Sequence, residues 1–202
     1  MDEIKILYSD RDIAVCVKPV GIASQSVGMP EELCKILNVN AVFPVHRLDV
    51  NVSGVMVYAL NKGSAAALCR QFENKADTLK EYTAVAVGEF EQSFGELCNF
   101  LYHDKQKNKT YVVKNSRPGA REAVLEYKVE GTTEIRGERC TILKIRLKTG
   151  RSHQIRAQLA HIHHPLCGDG KYGSKINCDL MLKATTLSFV HPVSGEKVEF
   201  EL

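Results

Sequence analysis

One carboxylate in this chain has neighbours suited to chemistry. In His46-Arg47-Leu48-Asp49, Asp49 follows two potential cations and precedes a turn supplied by Asn51, Ser53 and Gly54. A nearby guanidinium favours the ionised form of a carboxyl group and lowers its pKa. An ionised aspartate so placed can act as a nucleophile or as a base. The plainer alternative is a structural Arg–Asp pair that closes a strand–turn–strand corner, and an arbitrary Arg-Leu-Asp tripeptide is better read that way. Ser53 near His46 suggests a hydrolase, but the elbow spacing G-x-S-x-G is absent. The decision needs residues from elsewhere in the chain.

The elements that must hold Asp49 are legible on both sides of it. Ala41 to Val45 reads as a short extended run, and Gly54 to Leu60 (GVMVYAL) as an apolar strand. Ile13 to Lys18 is strand-like. Pro30, Glu31 and Glu32 open a short helix to about Leu37, since proline and acids suit a first turn. Ser64 is placed to cap a helix running to about Lys75. Tyr82 to Val87 alternates and stops at Gly88, and Ala123 to Val129 and Cys140 to Leu147 follow as strands. The last of these sets Thr141, Leu143, Ile145 and Leu147 on one face and Lys144 and Arg146 on the other. After Gly150, Ser152 is expected to cap a helix from His153 to about Ile162, with Ile155, Leu159 and Ile162 facing the core. Ala184 to Val190 and Lys197 to Leu202 form a hairpin about Pro192, Ser194 and Gly195. More strands than crossover helices predicts an α+β fold on a mixed, largely antiparallel sheet.

Composition sets bounds. The 202 residues suit one well-buried core, so a single domain over 1–202 is expected. A net charge of +3 and a pI near 8.4 permit a polyanionic partner without requiring one. The distribution says more: Lys105, Lys107, Lys109, Lys114, Arg117 and Arg121 fall in one run with no acidic residue. Such a run is ordinarily a solvated loop or edge strand; beside a catalytic cleft it would suit RNA phosphates. Seven cysteines without a C-x-x-C pair argue against a disulfide framework and for a reducing compartment, by default the cytoplasm. Charges interrupt every hydrophobic stretch, so neither a signal segment nor a membrane span is expected.

Four segments now combine. HRLDVNVSG at 46–54, KEYTAVAVG at 80–88, TGRSHQIRAQL at 149–159 and PLCGDGKYG at 165–173 resemble the RluA-type pseudouridine synthases in motif, order and spacing. The opening (6–25) and the close (182–200) are similar to the family's as well. This resemblance implies the α+β pseudouridine synthase catalytic fold, a central sheet flanked by helices with an active-site cleft across it. It also implies the isomerisation of specific uridines in rRNA or tRNA, a reaction that gains and loses no atoms and needs no cofactor, nucleotide or metal. Such chemistry requires a carboxylate beside a flipped-out nucleotide, a cation to keep it ionised and an aromatic face to position the base. The family pattern places these roles on Asp49, Arg156 and Tyr82, with Arg156 pairing with Asp49. Whether Asp49 is the nucleophile or a base acting on the ribose stays open. Arg47, Lys80, Arg151 and His153 are expected to contact the RNA. A monomer is expected, with RNA as partner and no membrane.

Other signals are set aside on context. Gly168 to Gly173 fits G-x-G-x-x-G, yet Pro165 precedes it and no amphipathic helix follows, as dinucleotide binding would need. His161, His163, His164 and Cys167 lack a common zinc spacing, so no metal is expected. Two positions depart from the family pattern: Val52 stands where threonine is usual, and Lys183 where histidine is. The resemblance begins so near Met1 that no room remains for the N-terminal S4 module many relatives carry. Targets would then be selected by the basic surface or by a partner. The competing function is a non-catalytic RNA-binding or RNA-folding factor on the same fold; retention of Asp49, Tyr82 and Arg156 together favours the enzyme.

Overall fold

In the computed structural model, which describes residues 4–25, 27–74, 77–114 and 117–202, Ile13, Ala14, Val15 and Cys16 are all fully buried, so the strand they form, β2 (Ile13–Lys18), has no solvent face. β4 (Ser53–Ala59) is likewise buried along nearly its whole length. Strands buried on both faces read as continuous apolar runs, as these do. They belong to the first of two units into which the chain divides: residues up to Lys80 with Ala184–Leu202, and Glu81–Lys183.

In the first unit, β2 lies between β1 (Lys5–Ser9) and β4, and pairs antiparallel with both. The two-residue β3 (Phe43–Pro44) also pairs with β4. β10 (Leu182–Val190) neighbours β4 and forms the expected closing hairpin with β11 (Lys197–Glu201). Ile13, Val15, Val55, Val57, Leu187 and Phe189 present one apolar face, on which Leu68 of α2 (Lys62–Asn74) packs. The other helix of this unit, α1 (Met29–Leu37), buries Met29 and Leu33 and carries proline and acids in its first turn, as expected.

The cap of α2 differs from expectation. Asn61 takes that place: its Oδ1 accepts the Ser64 N–H at 2.9 Å, while Ser64 Oγ donates to Asp12 at 3.2 Å. Asparagine caps as well as serine does, and Asn61 Nδ2 is itself held by Asp12 at 2.7 Å.

The second unit is an antiparallel set ordered β5, β9, β8, β6, β7. These are β5 (Leu79–Val87), β6 (Phe94–Asp104), β7 (Lys109–Val113), β8 (Ala120–Ile135) and β9 (Glu138–Leu147). The expected strands are present, but β8 and β9 extend to a tight turn at Arg136 and Gly137, both at positive φ (53° and 81°), as a two-residue hairpin loop needs. Sequence patterning missed β1, β6 and β7. Apolar and polar residues do not alternate cleanly in β6, and its strand state follows from pairing with β8 and β7.

α3 (Gln154–His161) is buried on almost every side, including Gln154, Arg156 and Gln158. Ile155 and Leu159 face the core as expected, and Ile162 lies just past the helix end. Ser152 is not its cap. His153 precedes the helix in the left-handed region (φ 51°), and the Gln154 side chain folds back to accept the Arg151 N–H at 3.0 Å and the Thr149 hydroxyl at 2.7 Å. Gln158 Nε2 reaches the Leu97 and Ala123 carbonyls and Asn99 Oδ1 at 2.8–3.1 Å. Polar groups buried this deeply are tolerated where they are hydrogen-bonded, as the Gln158 amide nitrogen is, while Gln158 Oε1 has no partner among the described residues.

Candidate active site

The Asp49 loop is gripped by a second loop, residues 18–24. Lys18 is fully buried, and its ammonium donates to three carbonyls, those of Pro19 (2.8 Å), Ile22 (2.9 Å) and Val50 (3.1 Å). The Gly21 N–H also reaches the Val50 carbonyl, at 2.9 Å. Ser24 Oγ donates to the Leu48 carbonyl at 2.8 Å and accepts the Leu48 N–H at 3.2 Å. Tyr58 Oη, from β4, donates to the Ser24 carbonyl at 2.9 Å. Asp49 thus has both sequence neighbours, Leu48 and Val50, tied down, and its own carbonyl accepts the Val52 N–H at 3.0 Å to close the turn. Burial pushes the Lys18 ammonium down to about 8, with the charge of Asp49 the opposing influence.

His46, Val52 and Gly54 of the motif are scaffold. His46 Nε2 accepts the Val57 N–H at 3.1 Å, and its ring lies 4.9 Å from that of Phe72. Burial, then the charge of Lys80, holds this imidazole well below its usual range, so it is neutral and structural. Val52 is buried, where a methyl in place of a hydroxyl leaves no polar group to satisfy. A Cβ on Gly54 would collide with the backbone of Ala184, which accounts for glycine here. Arg47 is exposed, and Asp49 is intermediate between buried and exposed. Lys80 Nζ sits 4.3 Å above the Phe72 ring, and burial lowers it to about 8.

In the second unit Tyr82 is buried on β5, opposite Ile145 of β9. Arg156, in the first turn of α3, makes a bidentate pair with Asp169: Nε to Oδ2 at 2.7 Å and Nη2 to Oδ1 at 2.9 Å. Both residues are buried. The Arg156 guanidinium also lies 5.0 Å from the Tyr172 ring centroid. Tyr172 Oη accepts the Thr110 N–H at 2.8 Å and meets Nδ1 of the buried His153 at 2.9 Å. Arg151 Nε donates to the Glu122 carbonyl at 2.9 Å.

Sequence reasoning missed Lys18 and Asp169. For Asp169 the signal was the pair of flanking glycines: a Cβ on Gly168 (φ 79°) would collide with the Asp179 and Cys178 carbonyls. The G-x-G-x-x-G string is a 3₁₀ turn (Gly170–Tyr172) that presents Asp169, not the start of a long helix. Of the His/Cys string, His164 donates through Nδ1 to the Val87 carbonyl at 2.9 Å and stacks on Phe90. Cys167 Sγ lies 3.4 Å from Cys140 Sγ.

The fold and the placement of the four motifs define a class, and comparison with known proteins agrees. Residues 12–161 match the family model described as RNA pseudouridylate synthase, and the chain belongs to that family. The matched region ends before Asp169. YhcT of Bacillus subtilis, described as an uncharacterised RNA pseudouridine synthase, is 34% identical over 98% of this chain and 68% of its own length. A tRNA pseudouridine synthase C of Haemophilus ducreyi is 34% identical over 97% and 89%. The dual-specificity RNA pseudouridine synthase RluA of Haemophilus influenzae is 29% identical over 98% and 91%. Among solved structures, human RNA pseudouridylate synthase domain containing 1 superposes with a TM-score of 0.86 at 22% identity, over 99% of this chain and 83% of that one, which shows the shared fold. No helix among the described residues is long and apolar enough to cross a membrane.

Proposed function

We propose that this protein isomerises particular uridines of rRNA or tRNA to pseudouridine, with Asp49 as the catalytic carboxylate. The observation that carries the reading is the scaffolding around that one residue: a buried lysine and a serine hold the peptide groups that flank it, and a tyrosine in turn holds the carbonyl of that serine. A pure RNA binder has no use for a carboxylate held so firmly toward a polyanion, whereas preorganisation of a reacting group is what catalysis rewards. In the reaction the N1–C1′ bond of uridine breaks, the uracil turns and a C5–C1′ bond forms. C5 gives up its proton and N1 gains one, so no co-reactant is consumed.

Tyr82 supplies the aromatic face for the base, and Arg156 a guanidinium for the reaction. Arg47, Lys80, Arg151 and His153 hold the surrounding RNA, with His153 acting through Tyr172. Relatives named for tRNA and for the large ribosomal subunit support both RNA classes as substrates. The protein works as a monomer.

Tritium release from RNA labelled at uridine C5 tests this directly, since C5 loses its hydrogen only when the new bond forms there. Bulk RNA from cells lacking the protein should release label with wild type and none with Asp49→Ala, whose RNA affinity stays within a few-fold. Turnover by Asp49→Ala would overturn the assignment. Binding without release by wild type, with both RNA classes present, would favour the non-catalytic factor.

A further inference from the structure

The second unit contains a groove of about 870 Å³ between the start of β8, the β6–β7 turn and the turn that precedes α3. Its volume is in the range that encloses a whole small ligand, roughly 300–1,000 Å³. Three cations line it, Lys105, Arg121 and Arg151, against one acid, Asp104, whose Oδ1 is occupied by the Lys107 N–H at 3.0 Å. Arg151 is held in place through its Nε, and Lys105 and Arg121 make no ion pair among the described residues. The basic run is therefore divided in its tasks. Lys109 lies over the Tyr172 and Tyr111 rings at 5.2 and 5.8 Å, and Arg117 covers Tyr102 at 3.6 Å; only Lys105 and Arg121 of the run line the groove.

One wall residue is an acceptor. His103 Nδ1 lies 3.0 Å from Thr110 Oγ1, and that hydroxyl spends its single hydrogen on the Ser152 carbonyl at 2.8 Å. The imidazole must therefore donate through Nδ1, which makes Nε2 the lone-pair nitrogen of the neutral ring. Nε2 makes no hydrogen bond among the described residues. A site with several cationic donors and one imidazole acceptor suits a phosphodiester that carries a hydroxyl nearby, and the ribose 2′-hydroxyl is what separates RNA from DNA.

We propose that this groove binds a ribonucleotide other than the one that reacts, its phosphate on Lys105, Arg121 and Arg151 and its 2′-hydroxyl donating to His103 Nε2. The proposal rests on the reading of the substrate as RNA. It assigns to the β6–β7 hairpin the recognition of sequence flanking the target.

The test uses fluorescence anisotropy with a short labelled oligouridylate and its deoxy counterpart at pH 8. Replacing Lys105 and Arg121 together by alanine should reduce the slope of log affinity against log salt by up to about 0.7, the share of one single-strand phosphate. An unchanged slope overturns the phosphate assignment. His103→Phe should lower the preference for ribo over deoxy by roughly 2- to 10-fold, the range of one neutral hydrogen bond, and His103→Gln, which retains an acceptor, should restore part of it. A preference unchanged in a folded His103→Phe protein overturns the ribose contact. Anisotropy reads binding without turnover, so absence of tritium release would sink the catalytic reading and leave the groove to be decided by these slopes.

Discussion

Two buried cations in this protein are satisfied in opposite ways. In the first unit Lys18 gives its three hydrogens to neutral carbonyls; in the second Arg156 gives two of its own to the carboxylate of Asp169. Carbonyls compensate an ammonium's lost hydration incompletely, and the Lys18 pKa falls to about 8. Their geometry stitches two loops together around Asp49. A carboxylate partner neutralises the guanidinium, and the fork of Arg156 fixes the angle at which α3 and the 3₁₀ turn meet. The first arrangement holds a backbone and the second holds a side chain.

The contrast predicts different penalties. Asp169→Asn takes the carboxylate charge away from a buried guanidinium and should be the most damaging to stability, by about 3–5 kcal/mol in urea unfolding. A loss under 1 kcal/mol would mean that Arg156 is compensated chiefly elsewhere. Lys18→Met removes the charge with its donors, depriving the Pro19 and Ile22 carbonyls of this partner and leaving the Val50 carbonyl to the Gly21 N–H; about 1–3 kcal/mol is expected. Its signature should be kinetic, with kcat for tritium release falling more than KM rises, because the Asp49 loop loosens while the RNA surface is untouched. Equal changes in the two would argue against a positioning role.

The smallest effect sharpens the picture of lowered lysines. Lys18 and Lys80 have folded-state values near 8, below the ordinary value of about 10.4, so between these pH values the unfolded chain binds more protons than the folded one. Stability contributed by these groups therefore rises with pH across that window. Buried thiols and tyrosines with raised values, such as Cys16 and Tyr58, pull the other way, so the comparison must be made by difference. Lys80→Met should show a less positive slope of stability against pH from 8 to 10.4 than wild type. Identical slopes would mean that the Lys80 ammonium is fully hydrated.

The amino-acid sequence alone determined β2, β4, the closing hairpin, the helix begun by Pro30 and the position of Asp49 in its turn, because each depends on residues a few places apart. The family resemblance likewise lay in short motifs and their order. Tertiary structure decided the rest. Lys18 and Val50 are 32 residues apart in the chain, and nothing in either loop's pattern says that one will donate to the other. Asp169 became the partner of Arg156 only when a glycine-bounded turn was laid against α3. Ser64 had the right chemistry for a cap and lost the role to Asn61, whose side chain Asp12 holds; Ser152 lost it to His153, which precedes α3 in the left-handed region without a side-chain cap. Local propensities are worth about a kilocalorie each, and a buried donor that lacks its acceptor costs as much or more, so the long-range contacts prevail.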